Sequence, residues 1–266
     1  MKYLLLSLLV LPAVALALLL PRWGSGGQPS PAPALSAQTE APGLPPSSGT
    51  AVAVLELFTS QGCSSCPPAD ALLAQLAAEE DRVIALSFHV DYWNYLGWAD
   101  PYSDARYSAR QRDYSSQLLA RTYTPQLVIN GQTELIGSRE SSVRTAVEAA
   151  LARPATVEVS LTAGYQDGKV SVAYTLAGDP AQHEITALLV QNHAVDEVKR
   201  GENRGRRLEH HNVVRDLRTA AAKQSDSLDL NIPADCTGQA LSVVVVVQNS
   251  ATRAIAGAAR LPLSQP

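Results

Sequence analysis

The sequence predicts an α/β unit followed by a smaller all-β unit. In the first unit, an apolar segment over 51–58, an amphipathic segment from Ala69 to Ala77 and a second apolar segment over 83–90 follow one another. A buried strand, a helix and another buried strand in this order indicate a right-handed parallel crossover. After Pro154 the helical periodicity gives way to short alternating segments separated by turn residues, which is typical of an antiparallel sheet.

The first unit, residues 49–153, is predicted to form a mixed sheet with the element order β-α-β-α-β-β-α. Its remaining elements are expected to be a helix near 104–120, strands over 126–130 and 133–136, and a helix over 140–151. Pro154 ends the unit, because proline cannot continue a helix.

The second unit, residues 154–266, is predicted to be a small antiparallel sandwich or barrel. Helical periodicity is confined to the segment 213–222. The valines at 243–247 predict a central strand covered on both faces, since an exposed run of this kind would promote aggregation. The strands are expected over 155–163, 169–177, 184–192, 227–232, 240–248 and 253–260.

Residues 1–20 have the pattern of an export signal. Lys2 precedes an apolar run, and Ala15 and Ala17 offer a small-residue cleavage site. The run is barely long enough to span a bilayer, so an uncleaved inner-membrane anchor is the alternative. Residues 21–48 are rich in Pro, Ser and Gly, which predicts a semi-extended linker. The rest of the chain is therefore expected in the periplasm or outside the cell, where disulfides persist.

Composition narrows the functional classes. The chain has 21 basic and 25 acidic side chains, so it offers no basic surface, and nucleic acid is not expected as a partner. Contact with a membrane is expected only through the N-terminal segment, if that segment stays uncleaved. Three cysteines in 266 residues exclude a disulfide-dense scaffold.

Two of the cysteines, Cys63 and Cys66, form a CxxC motif between a predicted strand and a predicted helix. This is the context that a redox CxxC requires, because the helix N-terminus favours a thiolate. The alternatives are a static disulfide and an inert thiol pair. Two neighbours oppose reactivity: Pro67 disfavours helical geometry at Cys66, so a later helix start is expected, and the charge of Asp70 would oppose a thiolate.

The motif carries a resemblance to known families. LELFTSQGCSSC resembles the first strand and active-site turn of glutaredoxins, and Thr124-Pro125 before a strand resembles the cis-proline loop of the thioredoxin superfamily. Longer segments resemble the secreted bacterial family labelled domain of unknown function 1223: ELFTSQGCSSCPPAD, SFHVDYWNYLGWADPYS, RQRDY, YTPQLVINGQ and RGENRGRRLEHHNVVR. That family is assigned a thioredoxin-like fold, and its activity is uncharacterised.

The resemblance implies a thioredoxin-like fold for residues 49–153 and roles for four residues. Cys63 would be the exposed nucleophile and Cys66 the resolving cysteine. Pro125 would be cis, which would place the Thr124 backbone beside the sulfurs, where a substrate peptide could pair with it.

Four more residues are candidates for substrate binding. His89 and Asp91 follow the second strand, at the edge where open α/β sheets place ligand sites, and should point the same way. They are either a proton relay and recognition pair or a buried histidine held by a carboxylate for packing. Trp93 and Trp98 belong to an aromatic segment that either lines a groove for a polypeptide or caps the core.

The second unit contributes three features without an assigned role. The loop GENRGRR, 201–207, could bind an anion, dock on the first unit or form a solvated hairpin. Cys236 is expected to be an isolated thiol, with a resolving role as the alternative. A zinc site built from Cys63, Cys66, Cys236 and a histidine is the least favoured reading, because the second unit lacks a matching ligand motif.

Together these observations predict an exported thiol–disulfide oxidoreductase that needs no organic cofactor and no metal. Its expected partner is a thiol- or disulfide-containing protein of the cell envelope, which it could oxidise, reduce or isomerise. The alternative is a redox-silent binding protein that uses the aromatic edge while the CxxC stays a structural disulfide. A metal-binding module comes third.

Overall fold

The computed structural model describes residues 50–264, and the predictions for residues 1–20 and 21–48 lie outside them. The first half follows the predicted order: β1 (Ala53–Thr59), α1 (Pro67–Glu79), β2 (Val83–His89), α2 (Ala105–Gln117), β3 (Gln126–Ile129), β4 (Thr133–Ile136) and α3 (Glu140–Leu151). No helix within the described residues is long and apolar enough to cross a membrane.

The second half is built from strands: β5 (Glu158–Gln166), β6 (Lys169–Ala177), β7 (His183–Glu197), β8 (Arg207–Ala221), β9 (Ser225–Asn231), β10 (Leu241–Asn249) and β11 (Ile255–Pro262). The helical pattern over 213–222 is misleading, because this segment lies in β8. β8 pairs with β7 from Arg207 to Ala221, and these backbone hydrogen bonds override the local periodicity.

One mixed sheet crosses the predicted boundary at 153/154. Its eight strands have the order β11-β10-β7-β8-β2-β1-β3-β4, and β5-β6-β9 form a separate antiparallel sheet. β1 is parallel to β2 and β2 is parallel to β8, whereas all other neighbours in the large sheet are antiparallel. The division into two domains stays a prediction, since all described residues fall within one compact unit.

Both faces of the large sheet are covered. Leu55 and Leu57 of β1 pack against α1 and α3, whereas Phe58 packs on the opposite face with Tyr107 and Tyr114 of α2. β10 is covered on both faces, as predicted, because its valines alternate between the α2 side and the three-stranded sheet. A continuous valine run suits this position, since each residue is buried whichever face it points to.

A buried polar network ties α2 to strands from both halves. The Glu56 carboxylate of β1 accepts hydrogen bonds from Arg110 Nη2 at 3.0 Å and from the Tyr114 hydroxyl at 2.5 Å. Gln248 of β10 donates to the same hydroxyl at 2.7 Å. Arg110 is 8% exposed and Glu56 is fully buried, so each charge depends on the other for compensation.

Removing one partner of this network tests its contribution to stability. We expect Arg110→Met to lower the free energy of unfolding by about 3–5 kcal/mol, because the Glu56 carboxylate is left buried without its counter-ion. Arg112→Met, at an exposed position of the same helix, should change it by about 0.5 kcal/mol or less. Chemical denaturation of both variants measures the difference, and equal effects would contradict the interpretation.

Candidate functional site

The CxxC motif forms the turn between β1 and α1. Cys63 and Cys66 are joined by a disulfide, with their Cα atoms 5.5 Å apart. Pro67 was expected to disfavour helical geometry at Cys66, but Cys66 has helical dihedrals of −79° and −38°, and α1 begins at the next residue, Pro67. Proline fits this position because the first helical residue needs no backbone N–H for the helix. The disulfide therefore lies directly at the N-terminus of α1.

Cys63 is covered by a turn from the second half, here called the docked turn (201–206). Asn203 is fully buried, and its side-chain amide donates hydrogen bonds of 2.9 Å to the carbonyls of Gln61 and Cys63. Glu202 accepts a hydrogen bond from the Ser64 N–H at 2.9 Å. Cys63 is 1% exposed, so the exposed nucleophile implied by the resemblance is not observed in this state. Of the three readings of the GENRGRR loop, docking on the first unit is the one observed.

Gln61 connects the CxxC turn to both halves. Its backbone N–H donates to Asp100 Oδ2 at 2.8 Å, and its side-chain nitrogen donates to Asp196 Oδ2 at 2.8 Å. Its side-chain oxygen accepts from Trp98 Nε1 at 2.8 Å, which fixes the orientation of the amide. The second amide hydrogen of Gln61 then faces His210 Nε2, 3.3 Å away. This contact assigns the proton of neutral His210 to Nδ1.

His89 lies at the end of β2, fully buried, with Asp100 as its partner instead of Asp91. Its Nδ1 is 2.7 Å from Asp100 Oδ2. Burial opposes the charged form of His89, but the charge and hydrogen bond of Asp100 outweigh burial and raise the pKa of the imidazole. Burial likewise opposes the Asp100 carboxylate, but His89 and two backbone N–H donors lower its pKa. Both shifts favour the ionised form of the pair.

Asp91 lies outside β2 and does not share the environment of His89. Its carboxylate accepts a hydrogen bond from Ser108 Oγ, and its backbone N–H donates to the same hydroxyl. Asp91 therefore holds the segment after β2 against α2. The two residues were expected to point the same way, but the strand ends at His89 and the alternation of side chains ends with it.

Asp70 lies one helical turn after Cys66, and its backbone N–H donates to the Cys66 carbonyl at 3.1 Å. Its side chain shares the helix face of Cys66. Burial raises the pKa of the Asp70 carboxyl to about 7, although the charge of His89 and the neighbouring Thr59 hydroxyl counteract this effect. His210 Nδ1 is 3.8 Å from Asp70 Oδ2. Asp70 can therefore bind or release a proton near neutral pH.

The space between α1, β1, β2 and β8 holds several unsatisfied polar atoms. His210 is fully buried beside His89, with ring centroids 4.7 Å apart. Burial, reinforced by the charge of His89, lowers the pKa of His210 to about 3, so His210 stays neutral. Within residues 50–264, the buried polar side-chain atoms without a hydrogen-bond partner are Thr59 Oγ1, Asp70 Oδ1, Ser87 Oγ, His89 Nε2 and His210 Nδ1.

Such orphaned groups are costly inside a fold and mark places where structure is maintained at the expense of stability. Three of these atoms belong to Asp70, His89 and His210 themselves. Of these three groups, Asp70 has a pKa near neutral pH. The arrangement is suited to holding and moving a proton next to the disulfide.

Trp93 links the CxxC turn to the Thr124–Pro125 turn. Its indole N–H donates to Thr124 Oγ1 at 2.8 Å, and the Thr124–Pro125 peptide bond is cis, as expected. Gly62 allows Trp93 to pack closely, because a Cβ at Gly62 would lie only 2.9 Å from Trp93 Cβ. Trp93 therefore contacts both Thr124 and Gly62, the residue before Cys63. It connects the predicted binding residues Thr124 and Pro125 to the CxxC turn.

The other aromatic residues have mixed positions. The indole of Trp98 is used in the Gln61 network, which agrees with a packing role. Tyr95 is 78% exposed and Tyr92 is 36% exposed, so the aromatic segment does present side chains to solvent. Tyr107 and Tyr114 of α2 lie in the core.

Cys236 is a free, buried cysteine in the core between the two sheets. Its Sγ is 3.9 Å from Gln191 Oε1, and burial raises the pKa of its thiol, which keeps it protonated. Among residues 50–264, no convergent group of metal ligands includes a cysteine. Cys63, Cys66 and Cys236 therefore do not form the four-ligand site considered from the sequence.

Several functional residues were not identified from the sequence. Asp100, Gln61 and Asn203 form hydrogen bonds in the turn that contains Cys63, but nothing in their spacing relates them to the CxxC. One available signal was the position of Gln61 in the short polar turn between β1 and Cys63. Asn203 is 142 positions from the carbonyl that it contacts at Gln61, and no local pattern reports a contact of that range.

Two proteins of known structure are similar to this chain over most of its length. Protein AGR_C_4864 from Agrobacterium tumefaciens has a similar crystal structure, with 29% sequence identity and a TM-score of 0.60, covering 79% of this chain and 94% of that one. HBP35 of Porphyromonas gingivalis is similar in fold, with 18% identity and a TM-score of 0.56, covering 82% of this chain and 78% of that one.

A search of curated proteins finds no match. The family model described as protein of unknown function (DUF1223) matches residues 54–248, which include the CxxC turn, the cis-proline turn and the docked turn. This match spans most of the sequence, and the chain therefore belongs to the DUF1223 family.

Proposed function

We propose that this chain is a thiol–disulfide oxidoreductase with a thioredoxin-like first half, acting through Cys63 and Cys66. The observation that carries the proposal is the placement of the disulfide: it lies at a helix N-terminus, one turn from a buried carboxyl whose pKa is about 7. A static disulfide needs no proton-exchanging group beside it. Thiol–disulfide exchange does, because each cysteine changes its protonation state during the reaction.

The exchange balances without a cofactor. When the pair is reduced, the Cys63 thiolate attacks one sulfur of a partner disulfide and expels the other partner sulfur as a thiolate. Cys66 then loses its proton, attacks Cys63 Sγ and releases the second partner thiolate. Two electrons pass from the CxxC pair to the partner, and the Cys63–Cys66 bond is restored. The same steps in reverse oxidise a partner dithiol.

In this mechanism Asp70 exchanges the proton with Cys66. Its carboxylate accepts the proton when Cys66 attacks, and its protonated form donates when the disulfide opens and Cys66 leaves. Burial raises the pKa of Asp70, and the charge of His89 and the Thr59 hydroxyl limit the rise to about 7.

We further propose that the protein is exported and acts in the periplasm or outside the cell on a thiol- or disulfide-containing protein. The export pattern of residues 1–20 supports this location, and an anchor in the inner membrane is the alternative form. The Thr124–Pro125 turn and Trp93 are the proposed contacts for the partner's backbone, because Trp93 joins them to the CxxC turn.

A second function is favoured by one observation: Cys63 is buried beneath the docked turn. The CxxC would then be a structural disulfide in a binding protein that uses the exposed aromatic residues Tyr92 and Tyr95. The two functions differ in whether the docked turn releases Cys63, and the first two of the following experiments separate them.

Trapping tests the proposed nucleophile. In the full chain carrying Cys66→Ser, we expect Cys63 to accumulate mixed disulfides with protein partners, because the second attack cannot occur. Cys63→Ser should abolish trapping, whereas Cys236→Ser should have no effect, since that thiol is buried and protonated. Non-reducing electrophoresis of envelope extracts measures the adducts. Absence of adducts, with Cys63 no more reactive to alkylation than an ordinary thiol, would favour the binding protein.

Weakening the contacts of the docked turn tests whether this turn limits access to the disulfide. Asn203→Ala should speed the opening of the Cys63–Cys66 disulfide by dithiothreitol by about tenfold or more, because leaving buried carbonyls unpaired costs about 1–3 kcal/mol. Arg204→Ala, at an exposed position of the same turn, should leave the rate unchanged. If both variants behave like the wild-type protein, the docked turn does not control access to the disulfide.

The pKa of Asp70 sets a pH dependence with a defined sign. Below about 7 the carboxyl holds the proton that departing Cys66 needs, so the rate of disulfide opening, expressed per thiolate of the attacking reagent, should fall as pH rises through about 7. Closure should show the opposite trend. Asp70→Asn should lose this inflection and open more slowly in acid by about 10²-fold or more.

Asp81→Asn, which alters an exposed carboxyl between α1 and β2, is the matched control and should retain the wild-type profile. Stopped-flow measurement of disulfide opening from about pH 5 to about pH 9 covers the range over which Asp70 titrates. An unchanged inflection in Asp70→Asn would remove Asp70 from the mechanism.

A further inference from the structure

The distal ends of β7 and β8 form a two-stranded ribbon, defined here as residues 193–197 and 207–211. β10 pairs with β7 only from His183 to Gln191, and β2 pairs with β8 only at Val213. Within the described residues, the ribbon therefore has no further strand beside it. A two-stranded ribbon is marginally stable by itself, so its packing and cross-strand contacts determine its order.

The inner face of the ribbon belongs to the site already described. Asp196 and His210 contact the side chain of Gln61, which lies two residues before Cys63. The outer face carries the alternate residues, among them His193, Glu209 and His211. Because side chains alternate along a strand, neighbouring His210 and His211 serve opposite faces.

Three metal-ligating side chains converge on the outer face. His193 and His211 are directly opposed across the two strands, with ring centroids 5.0 Å apart. One oxygen of Glu209, two residues before His211, lies 2.7 Å from His193 Nε2 and 3.5 Å from His211 Nε2. This is the only group of three such side chains within residues 50–264 whose ligand atoms all lie within 4.8 Å of one another.

These separations suit a tetrahedral ion. Ligand atoms about 2.0–2.1 Å from Zn²⁺ are roughly 3.3 Å from one another, so small side-chain rotations would place all three on one ion. An ion pair explains the arrangement less well. Two charged imidazoles directly opposite each other would repel, whereas neutral imidazoles are the form that binds a metal. The other charged groups on this face, Arg207 and Glu197, lie 4.0 Å apart and offset each other.

We propose that His193, Glu209 and His211 form a binding site for a divalent transition-metal ion of the zinc type, with a fourth position open to water. This site contains no cysteine and is therefore separate from the cysteine-based zinc site for which the sequence offered no ligand motif. Because its ligands come from both strands, the ion would clamp the ribbon that carries the docked turn to the disulfide. The proposal stands independently of the oxidoreductase function.

Calorimetric titration with Zn²⁺ alone tests the site. The full chain is used in its oxidised form, without a polyhistidine tag and after chelator treatment. We expect one equivalent to bind, and His193→Ala and His211→Ala each to weaken binding by about tenfold or more, since loss of even an outer-shell partner costs about 10–100-fold. His183→Ala is the matched control. The chain has five histidines, of which His89 and His210 are buried, and His183 is the one that remains outside the proposed site.

Thermal unfolding provides the second readout. Zn²⁺ should raise the unfolding midpoint of the wild-type protein and of His183→Ala, but not of His193→Ala or His211→Ala. Without metal, all four proteins should unfold at similar temperatures, which shows that the variants are folded. The proposal is overturned if Zn²⁺ does not bind, or if it binds the His193 and His211 variants as tightly as the wild-type protein.

Discussion

One pairing joins the two halves of the large sheet: Ser87 of β2 lies beside Val213 of β8. The candidate site depends on it, because it places β8 against α1 and brings the ribbon beyond it over the CxxC turn. Asn203 then reaches the carbonyls of Gln61 and Cys63, and His210 lies beside Gln61 and Asp70. The first half alone would expose those carbonyls and leave the disulfide uncovered.

The charges around the disulfide follow from burial. Each of His89 and Asp100 favours the charged form of the other, because their side chains are buried and lie 2.7 Å apart. Asp70 has no such close partner, so its carboxyl keeps its proton up to about pH 7, and His210 remains neutral. One ion pair, one titrating acid and one neutral imidazole thus occupy the same space. Their unpaired atoms reduce stability, a cost that natural proteins concentrate at functional sites.

Most secondary-structure elements were predictable because local patterns define them. The buried strands β1 and β2, the amphipathic helix α1 and the valine strand β10 all match their predicted positions. Two expectations failed for physical reasons. The segment 213–222 is a strand, since β7 supplies hydrogen bonds that outweigh a weak helical pattern. Cys66 has helical dihedrals although Pro67 follows it, because proline fits the first helical position, which needs no N–H.

The sequence by itself determined the CxxC pair, its position between a strand and a helix, the cis-proline turn and membership of the family. Each of these depends on residues that are adjacent in short continuous segments. Tertiary structure decided the rest of the site: the pairing of His89 with Asp100, the burial of Cys63 under Asn203, and the grouping of His193 with Glu209 and His211. Asn203 and Cys63 are 140 positions apart, and even His89–Asp100 and His193–Glu209, at 11 and 16 positions, exceed the spacing of a local pattern. Their energies arise from burial and from strand register, and neither quantity exists until the strands have paired.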